Sequence, residues 1–211
     1  MGQKINPRGF RIGSVFPWSS RWFAAGKTYR ELVFADAKLR EVLNAKLKPA
    51  GLSQVVIERS INKIKVTLFV SRPGIVIGRG GSGLEELKKF IQREIGPEGK
   101  TKVELAVEPV KEPNLVAFLV AQNIADQLVR RMMHKRVCNQ TVERVMSAGA
   151  KGVRIILSGR IGGAEIARRE KYQSGTIPLS TIREEVDFAI VPALTKSGYV
   201  GVKVWICKKS S

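Results

Sequence analysis

Arg72-Pro73-Gly74-Ile75-Val76-Ile77-Gly78-Arg79-Gly80-Gly81-Ser82-Gly83-Leu84-Glu85-Glu86-Leu87-Lys88-Lys89-Phe90 is the stretch that decides how this chain folds. Four glycines, Gly78, Gly80, Gly81 and Gly83, fall within six positions. Pro73-Gly74 breaks a preceding strand, Ile75-Val76-Ile77 is a short apolar anchor, and positions 78–81 form a loop able to take positive φ and expose bare backbone. A helix starts at Ser82. Glu85 follows at capping-box spacing, and Leu84, Leu87 and Ile91 supply the apolar face. Outward-facing amides beside a helix N-terminus, with Arg79 at the tip of the loop, suit a phosphate chain.

Two readings compete for these glycines. Gly78-x-Gly80-x-x-Gly83 fits a dinucleotide fingerprint, with Glu108 downstream to hold a ribose. That fingerprint must follow a strand directly inside a repeating β-α-β unit, whereas Pro73-Gly74 ends the strand well before the glycines and Pro109 ends the next one. Gly78-Arg79-Gly80-Gly81 also reads as G-x-x-G. With the order helix, strand, strand, helix, G-x-x-G, helix, strand around it, the segment resembles the prokaryotic, type II form of the KH module. In that module the loop joins two helices and clamps the backbone of single-stranded RNA or DNA. Arg72, Gly78, Arg79, Gly80, Gly81 and Lys88 are the contacts expected there.

Composition points to the same class of partner. The chain has 211 residues, 44% of them hydrophobic, enough for one large or two small domains with buried cores. Its 37 Lys and Arg against 18 Asp and Glu give a net charge of +19, which calls for a polyanion, either nucleic acid or an anionic membrane surface. No run approaches the ~20 apolar residues of a membrane-spanning helix, and no signal-peptide core follows Met1, so a soluble intracellular protein without membrane association is expected. Cys138 and Cys207 are far apart and lack metal-ligand spacing, and His134 is the sole histidine. Buried, inert thiols, no metal, no cofactor and no enzymatic activity are the expectation.

Outward from the loop, residues 1–27 read as a basic arm carrying Lys4, Arg8, Arg11 and Arg21 with no acidic residue. Its aromatics Phe10, Phe16, Trp18, Trp22 and Phe23 are suited either to stacking on bases or to packing on the domain. Residues 28–109 make the KH domain. Leu32, Leu39, Val42, Leu43 and Leu47 mark a helix over 28–48, runs at 52–58 and 64–70 form a hairpin with Asn62 near its turn, and a strand covers 103–107. Residues 110–113 are a linker. The C-terminal domain, 114–207, opens with a helix over 114–133 whose stripe is Phe118, Ala121, Ala125, Leu128 and Met132. A second helix follows on Val142, Val145 and Met146, then strands at 151–159, 168–176, 182–191 and 199–207; residues 208–211 are a basic tail. In the last strand Val200, Val202, Val204 and Ile206 alternate with Tyr199, Gly201, Lys203 and Trp205, which predicts one core face and one face open to a partner. The fold class is therefore α+β: a type II KH domain with helices on a three-stranded sheet, then two helices on a mostly antiparallel four-stranded sheet.

Longer blocks carry a resemblance over essentially the whole chain. Met1-Gly2-Gln3-Lys4 with Asn6-Pro7-Arg8-Gly9-Phe10-Arg11, the glycine loop, Ser158-Gly159-Arg160-Ile161-Gly162-Gly163-Ala164-Glu165-Ile166-Ala167-Arg168, and Gly198-Tyr199-Val200-Gly201-Val202-Lys203-Val204-Trp205-Ile206 closely resemble bacterial small ribosomal subunit protein three. The resemblance implies a place in the cytoplasm, or in a plastid, within the head of the small subunit, bound to its ribosomal RNA beside small-subunit proteins ten and fourteen. It also implies a position where messenger RNA enters, shared with proteins four and five, with basic residues gripping the incoming mRNA. Arg130, Arg131, Lys135 and Arg136 fall there, while the family's third basic position is Asn139. Lys4, Arg8, Arg11, Arg21, Arg160, Arg168 and Arg169 are the expected ribosomal RNA contacts. Where relatives often carry two basic residues in the glycine loop, this chain has Arg79 and Gly80.

Overall fold

The computed structural model describes residues 3–60, 63–95 and 102–209. The chain divides into two units. Trp18–Lys111 forms one, and the other joins the chain up to Pro17 with the chain from Glu112 onward. The division falls within the basic segment over 1–27, between Pro17 and Trp18.

In the first unit the order is β1 (Ser20–Arg21), α1 (Gly26–Lys46), β2 (Leu52–Ser60), β3 (Lys63–Val70), α2 (Pro73–Ile77), α3 (Ser82–Ile95) and β4 (Lys102–Pro109). The sheet runs β1-β2-β3-β4, with β2 and β3 antiparallel and β4 parallel to β3. The three expected strands are present, and the two-residue β1 adds a fourth, parallel to β2. The turn carrying Asn62 lies outside the described residues. Alternation in β3 buries Ile64, Val66, Leu68 and Val70, and α1 covers them with Leu39 and Leu43, joined by Leu47 at its C-cap, while α3 contributes Leu87 and Ile91.

What fastens β1 to α1 is a buried carboxylate. Asp36 is 2% exposed and accepts from Trp22 Nε1 at 2.8 Å, Ser20 Oγ at 3.2 Å and Arg59 Nε at 2.9 Å. Trp22 also packs against Tyr29, with ring centroids 5.5 Å apart, so of the two uses open to this aromatic it takes packing. Trp18 and Phe23 stay exposed.

The second unit comprises α4 (Ala117–Val129), α5 (His134–Ser147), β5 (Ala150–Gly159), β6 (Arg168–Gly175), β7 (Val186–Thr195) and β8 (Gly198–Lys208). Its sheet is fully antiparallel, in the order β6-β5-β8-β7. Both helices cover one face, burying Val120, Ala121, Ile124 and Val145 over Val153, Ile155, Val202 and Val204. The N-terminus of α4 lacks a cap of its own; Asp187 of β7 supplies one, accepting the Ala117 amide at 2.8 Å.

Three expectations are corrected here. The third strand is Val186–Thr195, not 182–191, because β7 is an edge strand and an edge accommodates Pro192. The first helix stops at Val129, four residues short of the expected 133, so Met132 is 42% exposed instead of completing a buried stripe. The far face of β8 is only partly open. Trp205 and Cys207 are buried there with Ile156, Ile177 and Val186 in a second small core, while Tyr199 remains exposed.

Arg11 closes that second core. Although expected to contact RNA, it is 0% exposed. Its guanidinium donates to the carbonyls of Pro7 at 2.9 Å, Pro178 at 3.1 Å, Leu179 at 3.1 Å, Thr181 at 2.9 Å and Glu184 at 2.8 Å. Nε and a shared Nη2 of one planar guanidinium satisfy four carbonyls of residues 178–184, a segment that has no ladder of its own, which explains why an arginine is buried at this point.

Candidate nucleic-acid interface

In the KH unit, Pro73 opens α2 with φ already helical, and Gly78 ends it at φ 69°, ψ −176°. The chain then makes a tight turn over Arg79–Gly81, with Gly80 left-handed at φ 63°, and enters α3 with Glu85 in its first turn. The glycines divide into two kinds. A Cβ on Gly83 would lie 2.6 Å from the Val76 carbonyl oxygen, so this glycine lets α3 start against α2. A Cβ on Gly80 or Gly81 would meet nothing within 4 Å, so these two leave the loop's outer side open. Arg72, before α2, and Lys88, in the second turn of α3, are exposed. Of the apolar anchor only Val76 is buried; Ile75 is 52% and Ile77 38% exposed, since three successive helical residues cannot share one face.

In the other unit, Arg130, Arg131, Lys135 and Arg136 are all exposed on the connection between α4 and α5 and on the first turn of α5. The turn between the helices is a Schellman motif. The Met132 amide donates to Gln127 O at 3.1 Å and the Arg131 amide to Leu128 O at 3.0 Å. Arg131 sits at its left-handed position with φ 62°, the sole non-glycine residue with positive φ among the described residues. Cations at a helix N-terminus oppose the helix dipole, and α5 has neither an acidic residue in its first turn nor a side-chain cap.

A carboxylate from the sheet offsets this. Glu170 of β6 accepts from Tyr172 Oη at 2.7 Å, pairs with Arg168 Nε at 2.9 Å and lies 3.1 Å from His134 Nε2. The Tyr172 hydrogen bond, with His134, Arg168 and Lys135 nearby, holds its carboxyl below the usual glutamate range. Burial and that same bond push the Tyr172 hydroxyl up. Beneath it, burial and then the Glu170 charge push the Cys138 thiol up to about 12. Burial, ahead of the Glu184 charge, also raises Cys207. Both cysteines are free and buried, as expected from the sequence.

The remaining expected RNA contacts fare unequally. Lys4 and Arg169 are exposed. Arg168 is half-exposed but committed to Glu170; Arg160 bends back to Ala164 O at 2.8 Å and Ser197 O at 3.4 Å. Arg8 stands over the Phe16 ring and 3.9 Å from Asp187, and Arg21 pairs with Glu58 at 3.3 Å. Arg11, buried, is unavailable. Sequence reasoning missed Asp36, Asp187 and Glu170, the carboxylates that hold these surfaces, because nothing in their local pattern sets them apart from solvated acids.

Residues 38–115 match the KH domain model and residues 124–206 match that of "Ribosomal protein S3, C-terminal domain". Proteins called small ribosomal subunit protein uS3 align over 99% of the chain. The one from Desulfosudis oleivorans is 48% identical with 95% of its length covered, that from Legionella pneumophila (strain Corby) 47% with 93%, and that from Carboxydothermus hydrogenoformans 44% with 92%. The chain belongs to the small ribosomal subunit protein uS3 family. Membership makes it a ribosomal, RNA-binding and non-enzymatic protein, and the dinucleotide reading of the loop is set aside. No helix among the described residues is long and apolar enough to cross a membrane.

Proposed function

We propose that this protein binds small-subunit ribosomal RNA in the head of the subunit and contacts messenger RNA where it enters, next to proteins ten and fourteen and near proteins four and five. The observation that carries the mRNA part is the grouping of Arg130, Arg131, Lys135 and Arg136, all exposed, within seven residues at one rigid helix junction. Four cations facing water at one place attract a polyphosphate at low cost in desolvation. Asn139, also exposed, retains a hydrogen-bond donor one turn further along α5. Lys4, Arg169 and the open glycine loop are the groups best exposed for ribosomal RNA.

Reconstituted small subunits carrying Lys135→Gln and Arg136→Gln test the mRNA role. Translation through a hairpin-bearing template slows more than through an unstructured one; equal slowing on both retires the assignment. Ribosomal RNA binding is tested separately: affinity of the full chain for a head-domain RNA fragment falls steeply with salt, since each neutralised phosphate releases counterions. A flat salt dependence rejects it.

A further inference from the structure

Between the two basic pairs of the α4–α5 connection lie Met132 and Met133, exposed by 42% and 70%, and Val129 just before them is 50% exposed. Three apolar side chains in five positions face water, and the two methionines stand between Arg130-Arg131 and Lys135-Arg136. The local backbone is costly at the same place. A Schellman turn ordinarily has glycine at its left-handed position, and here it has Arg131 at φ 62°. A helix N-cap ordinarily has Ser, Thr, Asp or Asn, and α5 has Met133, at φ −62° and ψ 116°, with no side-chain cap bond. Two departures from local preference two residues apart, the first fixed by the amide bonds of Arg131 and Met132 to the Leu128 and Gln127 carbonyls, mark a site shaped by something other than stability.

Resting on the mRNA contact proposed above, we infer that Met132 and Met133 form an apolar wedge that packs against unpaired nucleobases of single-stranded RNA while Arg130, Arg131, Lys135 and Arg136 hold the flanking phosphates. The charges fix a strand in place but carry no preference between paired and unpaired bases. A polarizable thioether packs well on an aromatic ring, and apolar side chains placed between base steps unstack them. The wedge supplies what the cations lack, a contact available only to an opened strand. Arg131 in left-handed geometry turns the chain so that Met132 leaves the buried stripe of α4 and Met133 precedes α5.

The test uses small subunits reconstituted with the full-length chain carrying Met132→Ser and Met133→Ser, alongside Met132→Leu and Met133→Leu, and Lys135→Gln with Arg136→Gln. The probes are an mRNA with a stable hairpin and an unstructured mRNA of the same length. The serine variant is expected to slow passage through the hairpin roughly threefold or more, and by more than through the unstructured template, while the salt dependence of single-stranded RNA binding by the full chain, which reports the charges alone, stays the same. The leucine variant retains most of the wild-type rate. Wild-type hairpin passage in the serine variant, or equal impairment in the leucine variant, overturns the wedge. Loss of a neighbouring subunit protein from the serine particles overturns it as well, in favour of a protein-docking role. If the Lys135→Gln, Arg136→Gln particles pass the hairpin normally, the mRNA contact itself fails and the wedge with it; if only the serine variant is silent, the contact stands and the wedge alone is lost.

Discussion

The glycine loop of the KH unit and the α4–α5 connection of the other unit are both tight turns before a helix, yet they are built in opposite ways. The loop places glycine at each left-handed position and leaves its outer side bare, so that backbone is what it offers. The connection puts an arginine in left-handed geometry and surrounds it with exposed long side chains. One turn is cheap in energy and undiscriminating; the other is strained and chemically varied. The difference teaches that an exposed turn in a basic protein can be built in two ways, one offering bare amides and the other long side chains held at a fixed backbone bend.

Substitutions can break this contrast, the largest effect first. Gly83→Ala drives a Cβ to 2.6 Å from Val76 O, and chemical denaturation should show a loss of about 1–3 kcal/mol, as for other overpacked sites. No loss would mean that the start of α3 is free to move. Arg79→Asp with Gly80→Asp leaves the KH fold in place and lowers affinity for single-stranded RNA by roughly tenfold, ~1.4 kcal/mol, measured by titration of the full chain. An unchanged affinity would remove the loop from the RNA surface. Arg131→Gly relieves the left-handed strain and should raise stability by about 1 kcal/mol, whereas Gly80→Ala at nearly the same φ should lower it by a similar amount. Shifts of the same sign at the two positions would erase the distinction drawn between the turns.

The smallest effect is in pH. Folding depresses the Glu170 carboxyl, so its contribution is present above the pKa of an unfolded glutamate and is lost as pH falls through the lower folded value. Acid titration of stability below about pH 4.5 should therefore be shallower in Glu170→Gln than in the wild type. Identical acid limbs would show that the carboxylate does not anchor the start of α5.

Much of this architecture is readable before folding is considered. Alternation in β3 and β8 and the helical spacing of Leu39, Leu43 and Leu47 each announce a buried face, because periodicity is a local property of the chain. The glycine loop is readable for the same reason. What escaped was set by distant partners. The early end of α4 depends on an arginine standing where glycine is the usual signal, and the position of β7 depends on its being at an edge. The burial of Arg11 depends on carbonyls far along the chain, and the charge that marked it for RNA is spent inside the protein. Glu170, Asp187 and Asp36 are likewise ordinary acids until the sheet brings helix termini and tryptophan to them.

The Arg11 clasp also sets an order of events during synthesis. Apart from Pro7, its acceptors lie 167 to 173 positions downstream, so Arg11 waits for residues 178–184 before four of its five hydrogen bonds can form. Closing so long a loop is slow compared with forming a helix. Until then the Arg11 guanidinium has only the Pro7 carbonyl to donate to, a cation kept in water until the loop that buries it has been made.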